Sequence, residues 1–442
     1  MIFFIKLKKM IVYSKKNIGL FLIETIRYKK LDFKFRGDDM DVYVARQAIF
    51  DINKKLVAYE LLFRNNNINK FFPVENINPT LNVIKNSFSI IGLNEITEGK
   101  PVFINFDEML LKSGIIETLN KDLVAVEILE TVNPGDTTVQ YCKNLKSKGY
   151  TIVLDDFQYS GKFDKLIEYV DIIKVDFTIT KGKERKEIMD KVKNQNIKFL
   201  AEKVEKQEDY KEALKYGYSY FQGYFFCRPV IISGSDICGY KPTYTKLIKE
   251  LNNEIIDIEN VENLIKSDVS LSCKLLKIIN SAYYSLTTRV KSIRNAIMII
   301  GIDELKRWIF VMELKAMNKS SIEELTKISL IRGYFGEFIV REIDFGVEKF
   351  DMFLAGLFSL VDALANQPLD KVLNTLPVSQ DIKDALMCRN NMMGELLDLI
   401  VKYERGTWEE VNILVKKMGL DREFLTNCYL KAIGSVKGLD VA

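Results

Sequence analysis

Histidine is absent from this chain of 442 residues. That absence excludes Ser–His and Cys–His nucleophile pairs, H-E-x-x-H zinc sites and histidine general bases. Any catalysis must run on carboxylates, lysine and bound metal. Cysteine is sparse and scattered, at Cys142, Cys227, Cys238, Cys273, Cys388 and Cys428, with no C-x-x-C spacing. This usage predicts a reduced, cytoplasmic protein with inert thiols. No apolar run reaches the ~18 residues of a membrane span. The best candidate, Phe353 to Ala365, is broken by Asp362, so no transmembrane segment is expected. Excess charge is also missing: the net value is +4, too small to point to nucleic acid or membrane as the main partner. No basic stripe or reading helix suggests DNA binding.

What is present begins with a length sufficient for two or three domains and an apolar content of 48%. Residues 1–39 stand apart, with ten Lys/Arg against four Asp/Glu, leaving 54 basic and 56 acidic residues in the remainder. The stretch reads either as a basic amphipathic anchor or as an extension from a misplaced start, the reading favoured here. It lacks the small-residue cleavage site of a signal peptide. Met40 directly precedes the organised pattern that opens at Val42-Tyr43-Val44-Ala45-Arg46-Gln47.

From residue 40 to about 232, short apolar runs alternate with helix-length amphipathic segments. The runs are Val102 to Ile104, Leu123 to Val126, Thr151 to Leu154, Asp171 to Val175, Ile197 to Ala201 and Tyr218 to Phe221. Thr137 to Lys148 and Lys183 to Lys193 are helical stretches between them. Such runs suit strands buried on both faces of a parallel sheet. At or near the C-terminal end of each stands a polar residue: Asn105, Glu127, Asp155 with Asp156, Lys174, Glu202 and Gln222. In a closed β/α barrel these ends share one mouth. Crowded carboxylates raise each other's pKa, and a hard divalent cation relieves that repulsion. The competing reading is that each residue only caps the following helix.

These residues carry a resemblance to the EAL family of cyclic di-GMP phosphodiesterases. Tyr59-Glu60-Leu61-Leu62-Phe63-Arg64 is similar to the naming signature, with Leu61 in place of its alanine. Phe103-Ile104-Asn105-Phe106, Glu127-Ile128-Leu129-Glu130, Asp155-Asp156-Phe157-Gln158, Lys174-Val175-Asp176, Ala201-Glu202-Lys203-Val204-Glu205 and Gln222-Gly223-Tyr224 follow in the family's order, ending at Arg228-Pro229. The interval of 20 residues from Glu202 to Gln222 is the family's usual one and selects Glu202 over Glu205.

The resemblance implies a TIM-like barrel that hydrolyses cyclic di-GMP to linear pGpG with two Mg²⁺ or Mn²⁺ ions. Glu60, Asn105, Glu127 and Asp155 would hold one metal, and Asp156 with Asp155 the second. Lys174 would hold the attacking water or offset phosphate charge. Glu202 would be the general base. Gln222, Glu130 and Gln47 would orient the site or ligand, and Arg64 would contact the nucleotide. Related barrels commonly dimerise, so a homodimer is a further expectation. Two departures favour a receptor or scaffold as the alternative: the loop Gln158-Tyr159-Ser160-Gly161-Lys162-Phe163 is altered, and Lys203 replaces a glycine beside the base.

Residues 233–442 show helical periodicity, as in Leu264, Leu271, Leu275, Leu276 and Ile279, with Asp268 and Ser270 as candidate N-caps. This part resembles the HDOD module through Leu264 to Asp268, Leu275 to Ala282, and Ser292-Ile293-Arg294-Asn295-Ala296 with Gly301. Leu354 to Asp362 resembles the helix bearing the His-Asp pair of HD phosphohydrolases, with Ser359 and Leu360 at those two positions. Without histidine that metal site cannot form, which implies a regulatory module that engages protein partners. Asn280-Ser281 reads as a helix brace, and Trp308 and Phe310 as core. An EAL module followed by an HDOD module, without a GGDEF domain, is itself a known family arrangement.

Overall fold

The computed structural model describes residues 42–65, 96–224 and 242–437, except residues 160, 193–195, 254, 282–283, 285, 287 and 318–322. The basic stretch 1–39, Arg228-Pro229 and the Arg64 side chain lie outside the described residues.

Eight strands close a barrel in sequential order. They are β1 Val42–Asp51, β2 Leu56–Asn65, β3 Val102–Phe106, β4 Val124–Ile128, β5 Thr151–Leu154, β6 Ile172–Asp176, β7 Lys198–Glu202 and β8 Tyr220–Gln222. Helices α1 Glu108–Lys112, α2 Asp136–Ser147, α3 Asp164–Ile167, α4 Glu184–Lys191 and α5 Gln207–Tyr216 connect the later strands. Every predicted run forms a strand within two or three residues of its expected bounds. The amphipathic stretches fold as α2 and α4.

One strand departs from the all-parallel expectation. β1 runs antiparallel to both β2 and β8. Only Ile52 to Lys55 separate β1 from β2, with Lys54 at a φ of 59°. A parallel crossover requires a dozen or more residues, so this connection can only be a hairpin. The β1–β2 connection therefore supplies no helix to cover the outer face on which Tyr43 and Tyr59 lie. Both are only 1% exposed, because the C-terminal helices cover them.

Those helices are α6 Pro242–Leu251, α7 Ile258–Lys266, α8 Val269–Ile279, α9 Ile293–Ile300, α10 Ile302–Met317, α11 Glu323–Glu342, α12 Lys349–Leu357, α13 Val361–Ala365, α14 Leu369–Thr375, α15 Gln380–Met387, α16 Met392–Arg405, α17 Trp408–Met418 and α18 Arg422–Lys437. Asp268 caps α8 by accepting from Leu271 N at 3.0 Å. The other candidate, Ser270, lies inside that helix. Ser292 and Asn391 cap α9 and α16 in the same way. Gly333 of α11 and Gly356 of α12 permit close helix crossing: a Cβ on Gly356 would overlap the backbone of Arg332 and Gly333. Trp308 and Phe310 are core residues. Asn280 braces the following loop, donating to Val290 O at 2.8 Å and accepting from Val290 N at 2.7 Å.

Helices α16 and α18 pack on β1, and one continuous core joins the barrel's outer layer to the helices. Tyr43 stacks on Trp408 with ring centroids 5.0 Å apart. Tyr43 also donates to Asn412 Oδ1 at 3.0 Å, and Tyr403 donates to Val44 O at 3.2 Å. Among the described residues no helix is long and apolar enough to cross a membrane.

Candidate active site

The barrel interior holds a separate apolar plug of Ile49, Ala58, Phe103, Ala125, Val153, Ile172 and Leu200, with Tyr220 packed against it. Side chains in a strand alternate between faces, so a residue two positions along points the same way. Two residues beyond the plug on the parallel strands are Glu60, Asn105, Glu127, Asp155, Lys174, Glu202 and Gln222. On antiparallel β1 the equivalent step runs backwards, from Ile49 to Gln47. Thus one layer of eight residues, seven within the strands and Asp155 directly after β5, is polar and faces the barrel axis at the C-terminal mouth. Barrel enzymes carry their chemistry there.

The capping alternative fails wherever the following helix is described. The cap of α1 is Asp107, which accepts from Leu110 N at 2.8 Å, and the residues preceding α2 to α5 are Gly135, Phe163, Lys183 and Lys206.

Lys174 is fully buried in the centre of the layer. Its ammonium lies 2.9 Å from Asp155, 3.2 Å from Glu60 and 3.5 Å from Glu202, and it is also hydrogen-bonded to Glu127. Burial alone would lower its pKa, but Glu127, Glu202, Glu60 and Asp155 together hold it well above the lysine range. Glu60 is fixed from two further sides. Gln222 Nε2 donates to it at 2.6 Å and to Gln47 Oε1 at 2.9 Å, and Asn105 Nδ2 donates to it at 3.3 Å.

One ammonium cannot balance four carboxylates in a buried site. Burial, with Glu60 and Asp155 nearby, pushes Glu127 well above the carboxylate range despite Lys174. Burial pushes Glu202 up to about 8, with Lys174 opposing and Asp155 and Glu60 adding. Asp155 is also pushed up by burial, but the Lys174 ammonium 2.9 Å away brings it below its ordinary value.

Among the described residues, six buried polar oxygens in this region have no hydrogen-bond partner: Asn105 Oδ1, Glu127 Oε2, Asp155 Oδ1, Asp156 Oδ1, Glu202 Oε2 and Gln222 Oε1. The Asp155 contact with Lys174 is thus an ion pair without hydrogen-bond geometry. Unpartnered buried acceptors are costly. Oxygen donors carrying surplus negative charge suit a hard divalent cation, so the residues fit the expected metal chemistry.

A second group forms just outside the layer. Asp156 turns sharply after β5, with a φ of 40°. Carboxylate oxygens of Glu130, Asp155 and Asp156 all lie within 4.8 Å of one another. Glu130, expected only to orient the site, therefore joins a potential ligand trio. Burial and the neighbouring Asp155 raise Asp156, while Lys203 opposes.

Lys203, marked in the sequence only as a lost glycine, keeps a glycine-like φ of 52°. Its ammonium lies 2.6 Å from Asp176 and 3.7 Å from Asp156. Asp176, which sequence reasoning left without a role, also accepts from Thr178 N at 2.6 Å. Gly223 takes a φ of 136°, and a Cβ there would collide with the Val204 backbone. Arg64 is the penultimate residue of β2, opposite Tyr43.

Two family models match the chain: the EAL domain over residues 41–229 and the HDOD domain over residues 240–368. Uncharacterized protein YuxH of Bacillus subtilis is 37% identical over 402 residues, covering 89% of this chain and 98% of the relative. Cyclic di-GMP phosphodiesterase CdgJ of Vibrio cholerae is 31% identical over 384 residues, covering 86% and 89%. Among solved structures, the manganese and cyclic di-GMP complex of Klebsiella pneumoniae BlrP1 is 21% identical, with a TM-score of 0.34, covering 43% of this chain and 56% of that one. The order of the two domains, with relatives aligned across nearly the whole of both, shows that this chain belongs to the family of proteins that join an EAL domain to an HDOD domain.

Proposed function

We propose that the barrel hydrolyses cyclic di-GMP to linear pGpG with Mg²⁺ or Mn²⁺, and that the helical domain serves as its regulatory and protein-interaction module. The observation that carries this reading is the single polar layer at the mouth, with its charge imbalance and six unpartnered buried oxygens. Glu60, Asn105, Glu127 and Asp155 would hold one ion, and Asp155 and Asp156, with Glu130 beside them, a second. Such ions supply positive charge to a phosphodiester and make water more acidic near neutral pH.

The chain's own groups supply the rest. Glu202 has an unpartnered oxygen and a pKa raised to about 8, close to working pH, where a carboxylate accepts a water proton effectively. Water adds to phosphorus, one P–O ester bond breaks, and the departing ribose oxygen takes up a proton. Lys174 remains protonated throughout and limits repulsion among the carboxylates that surround it. Gln222 and Asn105 hold Glu60 in place. The reading also takes over the cytoplasmic setting and the homodimer expected from the sequence.

Lys203 favours a second reading, a receptor that binds cyclic di-GMP without turnover. Its ammonium neutralises Asp156 and Asp176, where a second ion would otherwise be drawn. Incubation of the full chain with cyclic di-GMP and Mn²⁺, followed by nucleotide chromatography, separates the two. Linear product that disappears in Glu60→Ala and Glu202→Ala supports hydrolysis. Retained ligand binding without product supports the receptor.

A further inference from the structure

The helical domain reaches the polar layer of the barrel through the last turn of α16. Glu404 there is buried at 8% exposure and Arg332 of α11 at 3%. They form a two-point pair, Nε to Oε2 at 2.7 Å and NH2 to Oε1 at 3.0 Å. Arg332 also donates to Ser359 Oγ at 3.1 Å. Ser359 is one of the two positions where an HD enzyme would carry its metal ligands. On its other side Glu404 Oε1 accepts from the Tyr224 hydroxyl at 3.0 Å.

Tyr224 follows Gly223 and Gln222 directly. Gly223 fits against the Val204 backbone in a conformation open only to glycine, so this short segment has little freedom to absorb a shift of Tyr224. Gln222 in turn holds Glu60.

A second contact from the same helix turn reaches the same amide. The Arg405 carbonyl accepts from Gln47 Nε2 at 2.9 Å, and Gln47 Oε1 accepts from Gln222. The Arg405 guanidinium lies 4.5 Å from the centre of the Tyr224 ring. Gly406 closes the helix at a φ of 70°, seated against Leu62 of β2. Two routes therefore converge on Gln222 from residues 404 and 405, which lie beyond the matched HDOD segment.

We propose that Glu404 is a positioning residue for the barrel's carboxylate site. It holds Tyr224, and with the adjoining Arg405 carbonyl it fixes the Gln47–Gln222 pair that sets Glu60. The helical domain is then a working part of the site. Its degenerate HD position, Ser359, is joined to that site by the buried Arg332–Glu404 pair. The proposal rests on the reading of the barrel mouth as a divalent-cation site.

The test is Mn²⁺ binding by calorimetry on the full chain, without nucleotide. Glu404→Gln keeps the shape and removes the charge, and Tyr224→Phe removes only one hydroxyl. Both should weaken Mn²⁺ binding by about tenfold, the effect expected when support of a metal ligand is lost. Tyr43→Phe breaks a hydrogen bond at the same domain contact but off both routes. It should lower thermal stability while leaving Mn²⁺ affinity within twofold of wild type. Wild-type affinity in folded Glu404→Gln and Tyr224→Phe overturns the proposal and leaves the cation site standing. If Glu404→Gln does not fold, Tyr224→Phe decides alone. Absence of Mn²⁺ uptake by the wild-type chain overturns the cation site and the proposal with it.

Discussion

Replacing Lys174 by Met probes the charge balance of the barrel mouth directly. The wild-type ammonium is fully buried, with carboxylates of Asp155, Glu60 and Glu202 at 2.9, 3.2 and 3.5 Å and Glu127 hydrogen-bonded as well. At about 3 Å and an effective dielectric constant of about 20, each contact is worth roughly 5 kcal/mol before desolvation and mutual repulsion are subtracted. Removing one partner of a buried ion pair leaves a net loss of about 3–5 kcal/mol. At ~2–4 °C per kcal/mol, the midpoint should fall by on the order of 10 °C in chelator.

The loss depends on pH, with a definite sign. Glu127 and Glu202 titrate above their ordinary range in the fold, Glu202 at about 8. The unfolded chain therefore releases protons that the folded chain retains. The contribution of Glu202 to stability falls as pH rises from the ordinary carboxylate range to about 8, then levels off, and that of Glu127 falls in the same direction. Without Lys174 their affinity for protons rises further, so Lys174→Met should be closest to wild type near pH 6 and weakest at pH 8. Saturating Mn²⁺ should recover much of the deficit. Scanning calorimetry at both pH values, with chelator and with Mn²⁺, reads all four conditions. A variant within about 1 kcal/mol of wild type in chelator at pH 8, or one indifferent to Mn²⁺, would show that Lys174 does not balance these carboxylates.

Other substitutions test separate parts of the structure. Gly223→Ala must place a methyl group into the Val204 backbone at a φ of 136°; a loss of about 3 kcal/mol in chemical denaturation is expected, together with weaker Mn²⁺ binding. Lys203→Gly removes a cation 3.7 Å from Asp156 and suits the positive φ; Mn²⁺ titration should show tighter binding by several-fold, and weaker binding would mean that Lys203 supports the ligand trio. Asp268→Ala removes the cap of α8 and should cost about 1 kcal/mol in thermal unfolding, with Mn²⁺ affinity unchanged.

The polar layer was legible in the sequence because two short-range rules act together. Apolar runs mark strands, and the polar residue at the end of each run sits two positions beyond an inward-facing apolar one. That offset places Asn105, Glu127, Asp155, Glu202 and Gln222 correctly from local pattern alone. Lys174 fits the same offset, but its position amid four carboxylates depends on the closed barrel. The direction of β1 has a local cause, a connection of only Ile52 to Lys55, that the pattern of apolar runs does not display. Asp268 and Ser270 could not be ranked as caps from residue type, since both can accept from the helix N-terminus. Lys203 was visible as a missing glycine, but its ion pair with Asp176 requires β6 and β7 to lie side by side. Glu404 and Arg405 gave no local signal, because Gln47 and Arg405 meet across 358 positions of chain.

Hydrolysis by Glu60 and its neighbours at a cation site is tested most directly by chromatography of cyclic di-GMP after incubation with the full chain and Mn²⁺. Wild-type protein should accumulate linear pGpG, with none formed in chelator or by Glu60→Ala or Glu202→Ala. Unchanged cyclic di-GMP despite measured binding, or linear product from Glu60→Ala at the wild-type rate, would contradict hydrolysis at this site.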